Sequence, residues 1–205
     1  KRNCRNIMKS RQKNDGETTI IVGISGASGA IYGIRFLEIL NTLPNVVTHL
    51  VISDAAKITI AAETDFKISE AENLADYTYP LANIGAPIAS GSFKNHGMIV
   101  IPCSMKSLSG IAHSSNDNLL TRAADVTLKE RRRLVLVPRE APMHLGHLRL
   151  LTQASEIGAI IMPPMPAFYN HPKSLDDIIN HTVQRCLDLL DISLPEDISP
   201  RWEGK

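Results

Sequence analysis

Residues 19–40, TIIVGISGASGAIYGIRFLEIL, limit what this chain can fold into more than any other stretch. Thr19, Ile20, Ile21 and Val22 form a β-branched run suited to a buried strand. Gly23, Gly26, Ser28 and Gly29 follow, small residues that let the backbone turn sharply with its N–H groups exposed. Ala30, Ile34 and Leu37 then recur at the spacing of one helix face. A strand that enters a helix through such a turn aims unpaired amides and the positive end of the helix dipole at one point, which favours a phosphate.

The alternation continues downstream. Residues 46–52 read as a second strand, and Ser53 as the N-cap of a helix through Ala55, Ala56, Ile58 and Ala62. Residues 65–96 lack a clear period and read as a long functional loop with some helix. Further strands are expected at 98–101, 134–137 and 159–162, and further helices over 119–131 and through Leu145, Leu148 and Leu151. A last helix begins at Ser174, with Asp177 completing a capping box. Strands alternating with helices predict an α/β fold with a three-layer, doubly wound, mainly parallel sheet. No repeat or linker divides residues 18–205, which read as a single domain. Ligands in such sheets lie beyond the carboxyl ends of the strands, a rule that selects residues 26–29, Ser53, residues 104–107, Arg139-Glu140 and residues 163–169.

With 205 residues the chain is long enough for one full three-layer core. Its formal net charge of +1 supplies no general attraction to nucleic acid or to an anionic membrane. No apolar run reaches the ~20 residues that a membrane-spanning helix needs. Cys4, Cys103 and Cys186 are odd in number and lack CxxC or Cys/His spacing, which predicts no metal and a reduced, cytoplasmic compartment. Residues 1–17 carry six Lys or Arg against two acids without apolar periodicity. They are expected to form a disordered basic tail rather than a targeting segment, with Met8 a candidate natural start.

The segment GISGASG overlaps a GxGxxG pattern only in part, and a tight turn without a ligand competes with that reading. A dinucleotide site expects an acid at the end of the second strand; Ser53-Asp54 stands there, and Ser53 can donate to a phosphate as readily as it can cap a helix. A mononucleotide is therefore favoured. Ser104 and Ser107 add hydroxyls at a helix N-terminus, suited to a phosphate or a flavin edge. Arg122 and Lys129 are expected on one helix face, roughly 10 Å apart at ~1.5 Å rise per residue. Arg131, Arg132 and Arg133 read as a solvated face, and Arg185 alone as a surface arginine, whereas Arg139 follows a strand where a cleft belongs. Together such cations suit a dianionic substrate phosphate. Glu140 reads equally as a general acid or base and as the ion-pair partner of Arg139. Tyr169 either donates to a phosphate or packs. His96, His113, His144, His147, His171 and His181 form no metal-like pattern and receive no role.

The segments GISGASGAIYG, ISDAAK, ASGSF, PCSMKSLSGIAHS, NLLTRAADVTLKERRRLVLVPREAPMHLGHL and MPPMPAFYNHPKSLDDIINHTVQR together resemble the flavin prenyltransferases of the UbiX family, over about residues 19–202. The block at 122–142 carries most of the specificity. The resemblance implies a flavodoxin-like or Rossmann-like subunit, a homododecamer, and FMN bound where subunits meet. It further implies that dimethylallyl monophosphate alkylates reduced FMN at N5 and C6 without a metal. The prenylated FMN would pass to a UbiD-type decarboxylase acting in ubiquinone synthesis or on aromatic acids.

Carried over by motif, the resemblance assigns FMN contacts to Gly26, Ala27, Ser28, Ser53, Ser104, Met105, Lys106, Ser107 and Arg139. It assigns the prenyl phosphate to Ser90, Gly91, Arg122, Lys129, Tyr169 and Arg185, some of them across a subunit interface, and proton transfer to Glu140 with Ser28. Lys129 joins Glu140 and Ser28 as a catalytic candidate. The PxMNxxMW-type substrate segment of the FMN-dependent cysteine decarboxylases is replaced here by PPMPAFYN, which argues against a cysteinyl substrate. Two other readings remain at this stage: an FMN-dependent 3-polyprenyl-4-hydroxybenzoate decarboxylase, and a non-catalytic FMN carrier.

Overall fold

The computed structural model describes residues 16–204. The expected tail at 1–17 falls outside the described residues as far as residue 15. The strands are β1 (Thr18–Ile24), β2 (Val46–Ile52), β3 (Tyr77–Tyr79), β4 (Gly97–Cys103), β5 (Arg133–Pro138) and β6 (Ile160–Ile161). The helices are α1 (Ala30–Thr42), α2 (Asp54–Glu63), α3 (Ile68–Asn73), α4 (Met105–Ala112), α5 (Leu119–Lys129), α6 (Leu145–Glu156) and α7 (Leu175–Leu189). All pairings are parallel, in the order β3-β2-β1-β4-β5-β6. The chain therefore builds outward from β1 to β3, returns to place β4 beside β1, and builds outward again. The reversal between β1 and β4 is the topological switch point where such sheets open a ligand crevice.

Alternation along the central strands explains the three layers. Ile20, Val22 and Ile24 of β1 pack on one face with Ile34 and Leu37 of α1 and Val183 and Leu187 of α7. Ile21, with Met98 and Val100 of β4, packs on the other face with Leu108 of α4 and Leu120 and Ala123 of α5. Successive strand residues point to opposite faces, so a strand apolar at every position must be covered on both.

Two parts of the architecture differ from the sequence reading. Residues 65–96 contain, besides the expected helical turn, α3, an unexpected edge strand, β3, paired to β2 through His49, Leu50 and Val51. A three-residue strand with two exposed positions carries too little apolar pattern to be legible. Second, Arg132 is not a solvated cation. It is half-buried and donates to the carbonyls of Phe93 (2.7 Å) and Gly91 (3.0 Å), tying residues 91–93 to the end of α5. The capping box of α7 takes the expected form, Ser174 and Asp177 bonding each other's backbone.

Candidate active site

Hydrogen bonds at the switch point draw three strand ends together. Ser25, buried at the end of β1, donates its hydroxyl to the carbonyl of Pro102 (3.0 Å) and accepts the amide of Ser104 (2.7 Å). The amide of Ser53 donates to the carbonyl of Ile24 (2.9 Å), which brings the start of α2 to the same turn. Gly26 permits this approach, because a Cβ there would lie 2.3 Å from the Cβ of Ala55. Gly29, at φ 98°, takes the left-handed conformation that closes the turn.

The result is a cavity of about 560 Å³ whose lining includes Gly26, Ser53, Ser104, Lys106 and Ser107. Ser53 Oγ accepts the amide of Ala56 (3.1 Å). Ser104 Oγ accepts the amide of Ser107 (3.2 Å) and donates to the Ser107 hydroxyl (3.2 Å). The first turns of α2 and α4 thus face one space, with Lys106 beside them. Helix N-termini, hydroxyls and an ammonium group together suit a phosphate. Ala27, in the β1–α1 turn, is buried and Met105, at the start of α4, is half-buried; neither these two nor Ser28 and Arg139 line this cavity.

The N-terminus of α1 departs from expectation. Its amides are not free: Gly29 and Ala30 donate to Oε2 of Glu63, at 2.8 and 3.3 Å, and the Ser28 hydroxyl bonds the same carboxylate. Partial desolvation pushes the Glu63 carboxyl up, but these hydrogen bonds and the charge of Arg139 outweigh it and hold the group below the usual carboxylate range. The carboxylate of α2 therefore occupies the place that the glycine turn alone would offer to an external anion. Sequence reasoning missed Glu63, whose sole signal was an acid at the last turn of the helix that Ser53 starts. It missed Ser25 as well.

Arg139 stands at the end of β5, its amide donating to the carbonyl of Cys103 (3.3 Å) and its exposed side chain acting electrostatically on Glu63 and on Tyr32. Glu140 is half-buried and accepts the amide of Ala141 (3.1 Å).

The residues assigned to the prenyl phosphate fall into two groups within one chain. Arg122 donates through Nε to the carbonyl of Ala89 (3.2 Å) and through a terminal nitrogen to Asp125 (3.1 Å). Lys129 pairs with Glu130 at 2.5 Å, and Gly91 lies against both, since a Cβ there would be 2.8 Å from Lys129 Nζ. Ser90 shares a hydroxyl bond with Ser92 (2.8 Å). Ser90, Gly91, Arg122 and Lys129 therefore form one surface. Tyr169 and Arg185 line a different cavity, of about 380 Å³, with His181, Arg201 and Trp202. Among the described residues no group of His, Cys, Asp or Glu could hold a metal ion.

Comparison with known proteins decides the family. The Flavoprotein family model matches residues 8–187. The flavin prenyltransferase UbiX of Escherichia coli K12 is 62% identical over 185 residues, 90% of this chain and 98% of that protein. The chain belongs to the UbiX family of flavin prenyltransferases. The family member LpdB of Lactiplantibacillus plantarum is 51% identical over the same length, 90% of this chain and 98% of that one. A crystal structure described as a dodecameric FMN-dependent UbiX-like decarboxylase from Escherichia coli O157:H7 superposes with TM-score 0.88 and 49% identity, covering 91% of this chain and all of that one. AnUbiX (PadA1), solved with FMN and dimethylallyl pyrophosphate, superposes with TM-score 0.87 and 47% identity, covering 92% and 99%. The cysteine decarboxylase TvaF, at 15% identity, shares the fold alone.

FMN fits the residues present. The cavity at the switch point lies within the roughly 300–1,000 Å³ of small-molecule sites. Its polar lining concentrates at the helix ends, where a phosphate belongs, and Gly26 lets the start of α2 close up to form one wall.

Proposed function

We propose that this chain joins the dimethylallyl group of dimethylallyl monophosphate to N5 and C6 of reduced FMN, making prenylated FMN for a UbiD-type decarboxylase in ubiquinone synthesis or aromatic acid decarboxylation. The observation that carries this reading is 62% identity, over nearly the whole of both chains, to a flavin prenyltransferase. The cavity at the switch point supports it.

FMN would be held by Gly26, Ala27, Ser28, Ser53, Ser104, Met105, Lys106, Ser107 and Arg139, and in its reduced form supplies the nucleophilic ring positions. Arg122, Lys129, Tyr169 and Arg185, with Ser90 and Gly91, would take the substrate phosphate. Cleavage of the allylic C–O bond builds negative charge on the departing phosphate, and preorganised cations stabilise that charge more than they stabilise the ground state. The two groups of phosphate residues lie apart in one chain, so association of copies would complete the site, in keeping with the dodecamer described for the Escherichia coli O157:H7 relative.

Proton transfer needs a group that both donates and accepts. Ser28 bridges to an ionised carboxylate, Glu63, which can receive a proton through the hydroxyl and return it. Glu140 would act from the other side of Arg139. A cytoplasmic location is part of the reading: Cys103 and Cys186 are free and buried, and among the described residues no helix is long and apolar enough to cross a membrane.

Incubating the protein anaerobically with reduced FMN and dimethylallyl monophosphate should yield a flavin heavier by one prenyl unit. An unchanged flavin mass would sink the reading. The description of one structural relative as a decarboxylase favours a second reading, direct decarboxylation. That reading requires carbon dioxide release from a 3-polyprenyl-4-hydroxybenzoate with no partner enzyme present.

A further inference from the structure

The C-terminal segment folds back over Tyr169 and Arg185. The amide of Ile198 donates to the side-chain oxygen of buried Gln184 (3.0 Å), Asn170 Nδ2 donates to the carbonyl of Pro200 (3.3 Å), and Trp202 meets the ring of Tyr169 edge to face at 5.4 Å. Between them Arg201 makes a double fork. Its terminal nitrogens donate to Oδ2 and Oδ1 of Asp188, at 3.1 and 2.9 Å, and its Nε and one terminal nitrogen to the two oxygens of Asp197, at 2.6 and 2.9 Å. Asp188 also accepts Arg185 (2.7 Å) and Gln184 (3.3 Å). One carboxylate, its side chain 19% exposed, thus stands between two guanidinium groups that are each about half exposed.

Resting on the prenyl-phosphate reading above, we propose that Asp188 is a positioning residue for Arg185, and that Arg201, by sharing the charge of Asp188, leaves Arg185 oriented yet available to an incoming phosphate. A guanidinium paired alone with one carboxylate is satisfied, and a substrate phosphate must displace that partner before it binds. Here Arg201 holds Asp188 through two nitrogens whereas Arg185 holds it through one. The attraction of Asp188 for Arg185 is already largely met. Asp197 supplies the second carboxylate, so the two guanidinium groups and two carboxylates sum to zero and the phosphate does not meet an excess of carboxylate. Burial pushes the Asp188 carboxyl up, but the bonds from Arg201 and Gln184 and the nearby guanidinium charges outweigh it, so the group remains ionised.

The test uses the FMN-loaded, reduced, full-length protein with dimethylallyl monophosphate varied. Arg201→Gln leaves Asp188 to bind Arg185 alone, and should raise KM roughly tenfold with kcat within about twofold, the signature of lost ground-state and transition-state binding alike. Adding Asp188→Asn removes the uncompensated charge but keeps a side-chain oxygen to accept Arg185, and should bring KM back to within about threefold of the parent, a non-additivity expected only of coupled side chains. Arg201→Lys, which keeps the charge and loses the fork, should fall between. Trp202 is the only tryptophan in the chain, so its emission reports whether the segment stays seated on Tyr169 in each variant. An unchanged KM in Arg201→Gln, or a double variant no better than the single one, overturns the inference. A parent protein that turns over while Arg201→Gln matches it overturns this inference alone, whereas a parent that never prenylates the flavin overturns the functional reading beneath it.

Discussion

The carboxylate of Glu63, at the last turn of α2, lies 2.8 Å from the amide nitrogen of Gly29, at the first turn of α1. This contact reassigns the glycine turn. The end of α1 is closed by a side chain of the same protein, and the space left for a ligand's phosphate is bounded by the starts of α2 and α4. The turn holds an internal carboxylate next to Ser28, which is what a proton-transfer site requires and what a bare anion hole lacks.

Glu63→Gln keeps one acceptor oxygen but removes the charge from the helix end. It should lower thermal stability at pH 7 by about 0.3–1 kcal/mol, the usual worth of an exposed charge at a helix terminus. Because the folded-state pKa of Glu63 is depressed, its contribution is present above the ordinary carboxylate pKa and is lost as pH falls through the folded value. Melting curves of parent and variant should therefore converge in acid; a gap that widens toward low pH would contradict the assignment. Prenyl transfer by the variant should fall more than FMN affinity.

Gly26→Ala places a methyl 2.3 Å from the Cβ of Ala55. Overpacking of this kind costs about 1–3 kcal/mol, and the strain falls on the wall of the FMN cavity. FMN affinity measured by fluorescence titration should drop at least tenfold for a strain of ~1.4 kcal/mol. The compensating Ala55→Gly change should recover most of it, and failure of that rescue would place the defect elsewhere.

Arg122→Ala should raise the KM for dimethylallyl monophosphate by roughly tenfold or more while leaving the Kd for FMN within about twofold, since Arg122 bonds the Ala89 carbonyl and Asp125 beside Ser90, Gly91 and Lys129. Equal loss of both, read by steady-state kinetics and flavin titration, would show that Arg122 serves the cofactor's phosphate. Glu140→Gln should instead lower kcat, because a carboxamide cannot exchange a proton.

His49 stacks on Tyr77 at 4.7 Å and bonds the Tyr79 hydroxyl at 2.9 Å, and burial lowers its pKa to about 4. A histidine neutral in the folded state and protonated in the unfolded one destabilises the protein as pH falls from about 6.5 toward 4, by up to ~1.4 kcal/mol per pH unit. Thermal melts should fall more steeply between pH 7 and 5 in the parent than in His49→Phe, which keeps the ring. Parallel curves would remove His49 as the cause.

Ser53 and Ser174 were legible as helix caps because capping is local: the oxygen and the amides it serves lie within four residues. The sheet was legible for a similar reason, since a strand buried on both faces must be largely apolar, and β1, β2 and β4 are, with Thr48 and His49 of β2 as buried polar exceptions. The residues proposed to hold FMN came from the family resemblance, several of them at strand ends where the general rule places ligands. Glu63, Ser25 and Arg132 were not legible. Each acts on a partner 34 to 79 positions away in the sequence, and no period or spacing encodes such a pairing.

The sequence by itself determined the layered α/β fold, the helix caps and the family, because burial pattern and short-range hydrogen bonding are written in adjacent residues. Tertiary structure decided which group closes the end of α1, how the residues proposed for the substrate phosphate divide between two surfaces, and how the C-terminal segment seats Arg201 on Asp188. Those outcomes depend on distances of a few ångströms between side chains that only the packed sheet brings together.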